Sequence, residues 1–187
     1  MVTLLQDMLS YFNSDEKSKA LVMHTINSLP SYEIDSVDEY DNTLLQLSIM
    51  YQAHEAFLLL LEKGAEVNHR NSSGSTCLHY ACSKECLDVA AAEALLKEDA
   101  DHSLAESFES GSRMPLHYAA EAGSLPLCEL LIKYGADPDA IDAYDQKPYT
   151  IALEAGHMDC AELWSRPDSM RRDTREDTDD VSAGVSA

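Results

Sequence analysis

This chain repeats itself. One phrase stands in two close copies, Thr76-Cys77-Leu78-His79-Tyr80-Ala81 and Met114-Pro115-Leu116-His117-Tyr118-Ala119, and in two degraded ones, Thr43-Leu44-Leu45-Gln46-Leu47-Ser48 and Lys147-Pro148-Tyr149-Thr150-Ile151-Ala152. The copies start at residues 43, 76, 114 and 147, in steps of 33, 38 and 33. A second phrase keeps phase with the first, at Leu60–Glu66, Leu95–Asp101 and Leu131–Asp137. A period of this length marks a solenoid. One unit cannot bury its apolar face alone, whereas three or more stacked units bury a continuous core.

Each unit reads as two helices and a turn. Thr76 is a good N-cap, because its hydroxyl can accept an orphan amide bond, and Pro115 suits a first helical position where no amide partner is needed. Ala81, Ala119 and Ala120 follow, small enough to let a second helix approach closely. That helix is apolar, at Ala56 to Leu61, Val89 to Leu96 and Leu127 to Ile132, and Gly64 and Gly135 stand past its end in two copies. Polar, turn-prone stretches at 68–75 and 137–145 then link neighbours as fingers.

The phrases resemble those of the ankyrin-repeat family, whose repeat carries Thr-Pro-Leu-His-x-Ala-Ala and later Leu-Leu-x-x-Gly-Ala-Asp. The likeness covers roughly residues 15–164. It implies an all-α fold, an ankyrin solenoid of helix-turn-helix units with β-turn fingers. About four repeats are expected, at 41–73, 74–111, 112–144 and 145–166, behind a divergent N-terminal cap over 1–40. In the cap, Thr3 to Phe12 and Asp15 to Leu29 alternate apolar and polar residues at helical spacing. Past Pro167 almost no apolar residue remains, and 167–187 reads as a disordered acidic tail.

The second repeat is longer than its neighbours. Thr76 to Ala100 takes 24 steps where the equivalent stretch takes 22, which places about two extra residues in its helices, near Ser83 to Ala94. Ala100 to Met114 takes 14 steps against 11, which lengthens the finger within Ser103 to Ser112. Long loops on repeats often lie on a binding face, though tolerated surface insertion is the commoner reason.

Charge bears on function. A net charge of −21 excludes a phosphate-backbone binder, which needs clustered Lys and Arg. Residues 71–110 hold eight acids against two bases, a surface suited to solubility or to a basic partner. Without a secretory h-region or an apolar run near 18 residues, the expectation is an intracellular protein, cytoplasmic or nuclear, with no membrane partner. Five cysteines without framework spacing fit a reducing compartment.

No catalytic constellation emerges, and no cofactor is implied. Cys77, His79, Cys82 and Cys86 come nearest to a metal cluster, but Cys77 and His79 align with Pro115 and His117, and Cys82 with Ala120, so repeat position accounts for those three. Asp137, Asp139, Asp142 and Asp145 crowd one finger without the glycine and terminal glutamate of a calcium loop. Two modification signals stand out: Thr174 after Arg171-Arg172, and Asn68, whose hairpin position resembles the one that asparaginyl hydroxylases modify in this family. Asn also suits a turn for its own sake.

The resemblance therefore implies a non-catalytic interaction module, a monomer binding a partner protein through its concave face and fingers. The alternative is a targeting or inhibitory domain of a larger enzyme or signalling complex. Leu47, Tyr80, Tyr118 and Ile151 share the position after the signature histidine slot, which in the family tends to face the groove. Tyr40, Arg113, Tyr144 and Gln146 lie on or beside the fingers. Tyr and Arg are enriched among residues that dominate binding energy, although Tyr80 and Tyr118 serve inter-repeat packing equally well.

Overall fold

The computed structural model describes residues 12–165 together with Leu9. These residues form nine α-helices and two short 3₁₀ turns, with a lone antiparallel bridge between Val37 and Thr43 and no strand among them. The first helix, α1 (Glu16–Ser28), starts on Asp15, whose Oδ1 accepts the amides of Lys17 and Ser18 at 2.8 and 2.9 Å. Four helix pairs follow. They are α2 (Leu44–Met50) with α3 (His54–Glu62), α4 (Cys77–Cys82) with α5 (Val89–Lys97), α6 (Pro115–Glu121) with α7 (Leu125–Lys133), and α8 (Pro148–Glu154) with α9 (Met158–Ser165).

The helices stack in two rows. The inner row runs α2–α4–α6–α8; the outer row runs α1–α3 and then α5–α7–α9, with the α3–α5 step more open than the rest. Ala81, Ala119, Ala120 and Ala152 are fully buried where the rows meet, and Leu60, Leu95 and Leu131 fill the same place in three successive outer helices. These side chains join one core that extends from Leu9 to Trp164. Trp164 closes it, with its Nε1 donating to the carbonyl of Pro138 at 3.0 Å.

A polar spine explains the repeated histidine. In α4, His79 Nδ1 accepts the amide of Thr76 at 3.0 Å, so the ring proton sits on Nε2 and donates to the carbonyl of Arg113 in the next finger at 3.1 Å. The ring thus caps its own helix and ties two repeats together. Gln46 does the same in α2, where its Oε1 accepts the Thr43 amide at 2.9 Å and its Nε2 donates to the carbonyl of Ser75 at 2.9 Å. Burial holds the His79 pKa down to about 4, which keeps the ring neutral.

The extra length of the second repeat lies elsewhere than in its helices. α4 is one residue shorter than α2, and the added residues form the connection 83–88, against three-residue connections at 51–53 and 122–124. Lengthening a helix by two residues would rotate its apolar face by about 200° away from the core, whereas a loop absorbs them at the surface. The finger insertion falls as expected. Glu106 and Arg113 close the third finger by the same backbone bond that joins Asn71 to Ser75 and Asp142 to Gln146, with three more residues between them.

The expected helix at Thr3 to Phe12 falls almost wholly outside the described residues, and the tail 167–187 lies outside them. No helix among the described residues is long and apolar enough to cross a membrane.

Candidate binding groove

Both insertions border one depression. Between α2, α4, α6 and the third finger lies a groove of about 380 Å³, lined by Met50, Ser75, His79, Tyr80, Ser83, Glu85, Cys86, Glu106 and Tyr118. The 83–88 connection supplies Ser83, Glu85 and Cys86; the third finger supplies Glu106. Tyr80 and Tyr118 come from successive inner helices and are half-buried, with their hydroxyls committed. Tyr80 Oη accepts from Asn71 Nδ2 at 2.8 Å, and Tyr118 Oη donates to Glu106 Oε2 at 2.6 Å. Burial first, then the hydrogen bond to Glu106, push the Tyr118 phenol upward, so it remains a donor.

Glu106 is the residue that turns a finger toward the groove. Among its counterparts, Asp38 and Asp142 fold back on their own fingers, while Asn71 does so through Oδ1 and reaches the Tyr80 hydroxyl through Nδ2 as a neutral donor. Asp142 Oδ1, for example, accepts the amides of Tyr144 and Gln146 at 2.8 and 2.9 Å. Glu106 is one methylene longer than Asp, and its carboxylate instead takes hydrogen bonds from Ser75 Oγ and Tyr118 Oη. The wider finger beyond it makes a 3₁₀ turn at Phe108–Ser110, with the Phe108 ring 78% exposed.

The row expected along the inner helices divides in two. Tyr80 and Tyr118 line the groove, but Leu47 and Ile151 are only 4% and 5% exposed, and Leu47 belongs to the core. An aliphatic chain with no polar end is drawn fully into packing, whereas a tyrosine keeps one end near water. The finger residues divide as well. Tyr40 and Tyr144 are 61% and 70% exposed. Arg113 is engaged within the chain: its Nη1 pairs with Glu121 at 3.0 Å, its Nε lies 3.6 Å from the buried Asp142 carboxylate, and its guanidinium stands 6.0 Å from the Tyr118 ring centre. Gln146 Nε2 donates to Glu154 at 3.0 Å.

Glu106, Glu85 and Met50 are not singled out by the sequence, and Cys86 only as the fourth member of a possible metal cluster. The only available signal was a Glu at the finger position that elsewhere carries Asp or Asn, and it emerges only when the fingers are aligned by their closing backbone bond.

The cysteines and histidines near the groove have structural work. Cys77 and Cys82 are fully buried, and burial pushes both thiols up. Both nitrogens of His79 are occupied by the backbone. No group of three or more His, Cys, Asp or Glu converges as a metal site among the described residues. Asn68 Nδ2 donates to the Asp99 carbonyl at 3.2 Å and its Oδ1 accepts the Asp101 amide at 2.7 Å, which ties its hairpin to the next repeat. Thr174 lies outside the described residues.

The family model described as Ankyrin repeats (3 copies) matches residues 9–106 and 90–168. The chain belongs to the ankyrin-repeat family. Ankyrin repeats are protein-interaction modules, and the paired helices and fingers of this chain are such repeats. It is 38% identical over 97 residues to BCL-6 corepressor-like protein 1 of Homo sapiens, a match that covers 51% of this chain and 5% of that protein. It is 35% identical over 101 residues to the probable 26S proteasome regulatory subunit p28 of Saccharomyces cerevisiae, covering 52% of this chain and 41% of that one. To NF-kappa-B inhibitor alpha of Sus scrofa it is 28% identical over 130 residues, 66% of this chain and 40% of that protein. In each case the match spans less than half of the relative's length.

Proposed function

We propose that this chain is a non-catalytic scaffold or adaptor that holds an extended segment of a partner protein on its inner-helix face. The observation that carries this reading is the convergence of Tyr80, Tyr118 and both second-repeat insertions on one groove. A rigid stack has little ordering entropy to lose on association, and half-buried tyrosines supply contact area with few rotatable bonds. The exposed rings of Tyr40 and Tyr144 extend the contact surface along the fingers. On this reading the module is 41–166 behind a cap at 1–40, and it acts as an intracellular monomer with no cofactor.

The test is affinity capture with the full chain, followed by titration of each purified binder. Tyr80→Ala and Tyr118→Ala should each weaken binding by roughly 1–3 kcal/mol, with circular dichroism unchanged. A binder indifferent to both substitutions would move the interface off the groove.

A regulatory role is the second reading. One relative is an inhibitor by name and another a regulatory subunit, and both are longer than the matched stretch. Enzyme activity assayed in any captured complex, with and without the chain, separates inhibition from plain tethering.

A further inference from the structure

One carboxylate in the groove has no cation. Glu106 is 8% exposed, yet it forms no salt bridge among the described residues. Buried charges are ordinarily paired, because desolvation penalises an isolated one heavily. The nearby bases are committed elsewhere. Arg70 donates through Nη2 to the Ala105 carbonyl at 2.6 Å and through Nε to the Gly74 carbonyl at 3.3 Å. Arg113 is held by Glu121 and Asp142. His79 donates to a backbone carbonyl, and burial keeps it neutral.

The carboxylate retains room for another donor. An ionised carboxylate offers about four lone-pair sites, of which Ser75 and Tyr118 take one each. A second acid, the exposed Glu85, lines the same groove, as do Tyr80, whose ring attracts cations, and Tyr118, whose ring already meets the Arg113 guanidinium at 6.0 Å.

We propose, building on the groove reading above, that the groove receives a Lys or Arg side chain of the partner segment. Its charged end meets Glu106 and Glu85, and its aliphatic stem packs against Tyr80, Tyr118 and Met50. The occupant is a basic protein segment: a free anion is repelled by the two carboxylates, and a purely apolar segment would leave Glu106 buried without a counter-charge. The net charge of −21 draws such a segment in.

A random 12-residue peptide library selected on the immobilised full chain tests this directly. The same selection is run on Glu106→Gln, on Glu39→Gln, and on chain alkylated at Cys86 with N-ethylmaleimide. Cys86 lines the groove and is partly exposed, while Cys77, Cys82, Cys128 and Cys160 are buried, which makes the label selective. Peptides recovered on the unmodified chain should be enriched in Lys or Arg beside apolar residues. Alkylation should block them, and Glu106→Gln should weaken a representative peptide roughly 10- to 100-fold. Glu39→Gln, an equal charge change on the exposed first finger, should leave its affinity within about twofold. Peptides that alkylation blocks, but that carry no basic enrichment or bind Glu106→Gln as well as the original, overturn this inference and leave the groove reading intact. A loss as large for Glu39→Gln also overturns it, by showing bulk attraction only. Peptides that ignore alkylation refute the groove itself. A thermal melt of Glu106→Gln within a few degrees of the original confirms that the variant is folded.

Discussion

The second and third repeats are built from the same two phrases and end up doing different things. In the third, a three-residue connection joins α6 to α7, and Gly123 takes the left-handed turn with φ +68°. Its closing finger folds Asp142 back onto its own amides. In the second, Leu87 is left to take the left-handed turn at φ +47°, and the longer finger aims Glu106 outward to Tyr118. The contrast teaches that insertion and substitution together make a site on this scaffold: the longer connection and finger border the groove, and Glu in place of Asp or Asn puts a carboxylate in it.

The largest expected effect concerns what the two repeats share. Leu95 and Leu131 are both fully buried at equivalent places in α5 and α7. Either one changed to Ala should cost about 2–5 kcal/mol by the cavity it leaves, read from the midpoint of urea unfolding. The Leu95 site should come out at the low end, because the outer row is more open on its α3 side and can relax. A larger loss at Leu95 than at Leu131 would mean that the insertion loosens nothing.

The left-handed turns come next. At Gly123 an added Cβ would sit 2.4 Å from His157 Nδ1, and φ is positive besides. Gly123→Ala should therefore destabilise by about 1–3 kcal/mol. Leu87→Gly should do the reverse, stabilising by about 0.5–1 kcal/mol, because the turn is strained for leucine and the side chain is 41% exposed. Thermal melts of the two variants check the pair. A destabilised Leu87→Gly would assign Leu87 a packing role that outweighs its backbone.

The histidines sharpen the comparison through pH. His79 has a folded pKa near 4 against an ordinary 6.5, since burial disfavours the cation. The unfolded chain takes up that proton below about 6.5, and the folded chain does not until about 4. The contribution is therefore fully present above 6.5 and is lost as pH falls through that window. About 1–2 kcal/mol should disappear between pH 6.5 and 5 from this residue. His79→Gln should remove that slope while keeping stability at pH 7, because Gln46 already makes the same two bonds in the first pair. Urea titrations at both pH values read it. The same change at His117, whose pKa burial also lowers, should flatten the profile too.

Sequence carried the framework because periodicity is a property of packing. Thr76 reads as an N-cap and Pro115 as a first helical residue, and they stand there at the starts of α4 and α6. Site residues were less legible. Tyr80 and Tyr118 were visible because they follow the signature histidine, and the same rule put forward Leu47 and Ile151, which packing then covered. Glu106 could not be read from any phrase. Its role depends on where a lengthened finger carries a carboxylate relative to the next inner helix, and spacing in sequence does not encode that distance. Arg113 illustrates the converse: it is a good binding residue by type, yet it is occupied by Glu121 and Asp142, neither of which is its neighbour in sequence.

The claim that the inner-helix groove is the binding face is tested most directly by hydrogen exchange of the full chain, free and bound to a captured partner. Amides of 83–88 and of 106–118 should slow together on binding, while those of the outer helices α5 and α7 stay unchanged. Protection confined to the outer helices, with 83–88 and 106–118 exchanging as fast as in the free chain, would contradict it.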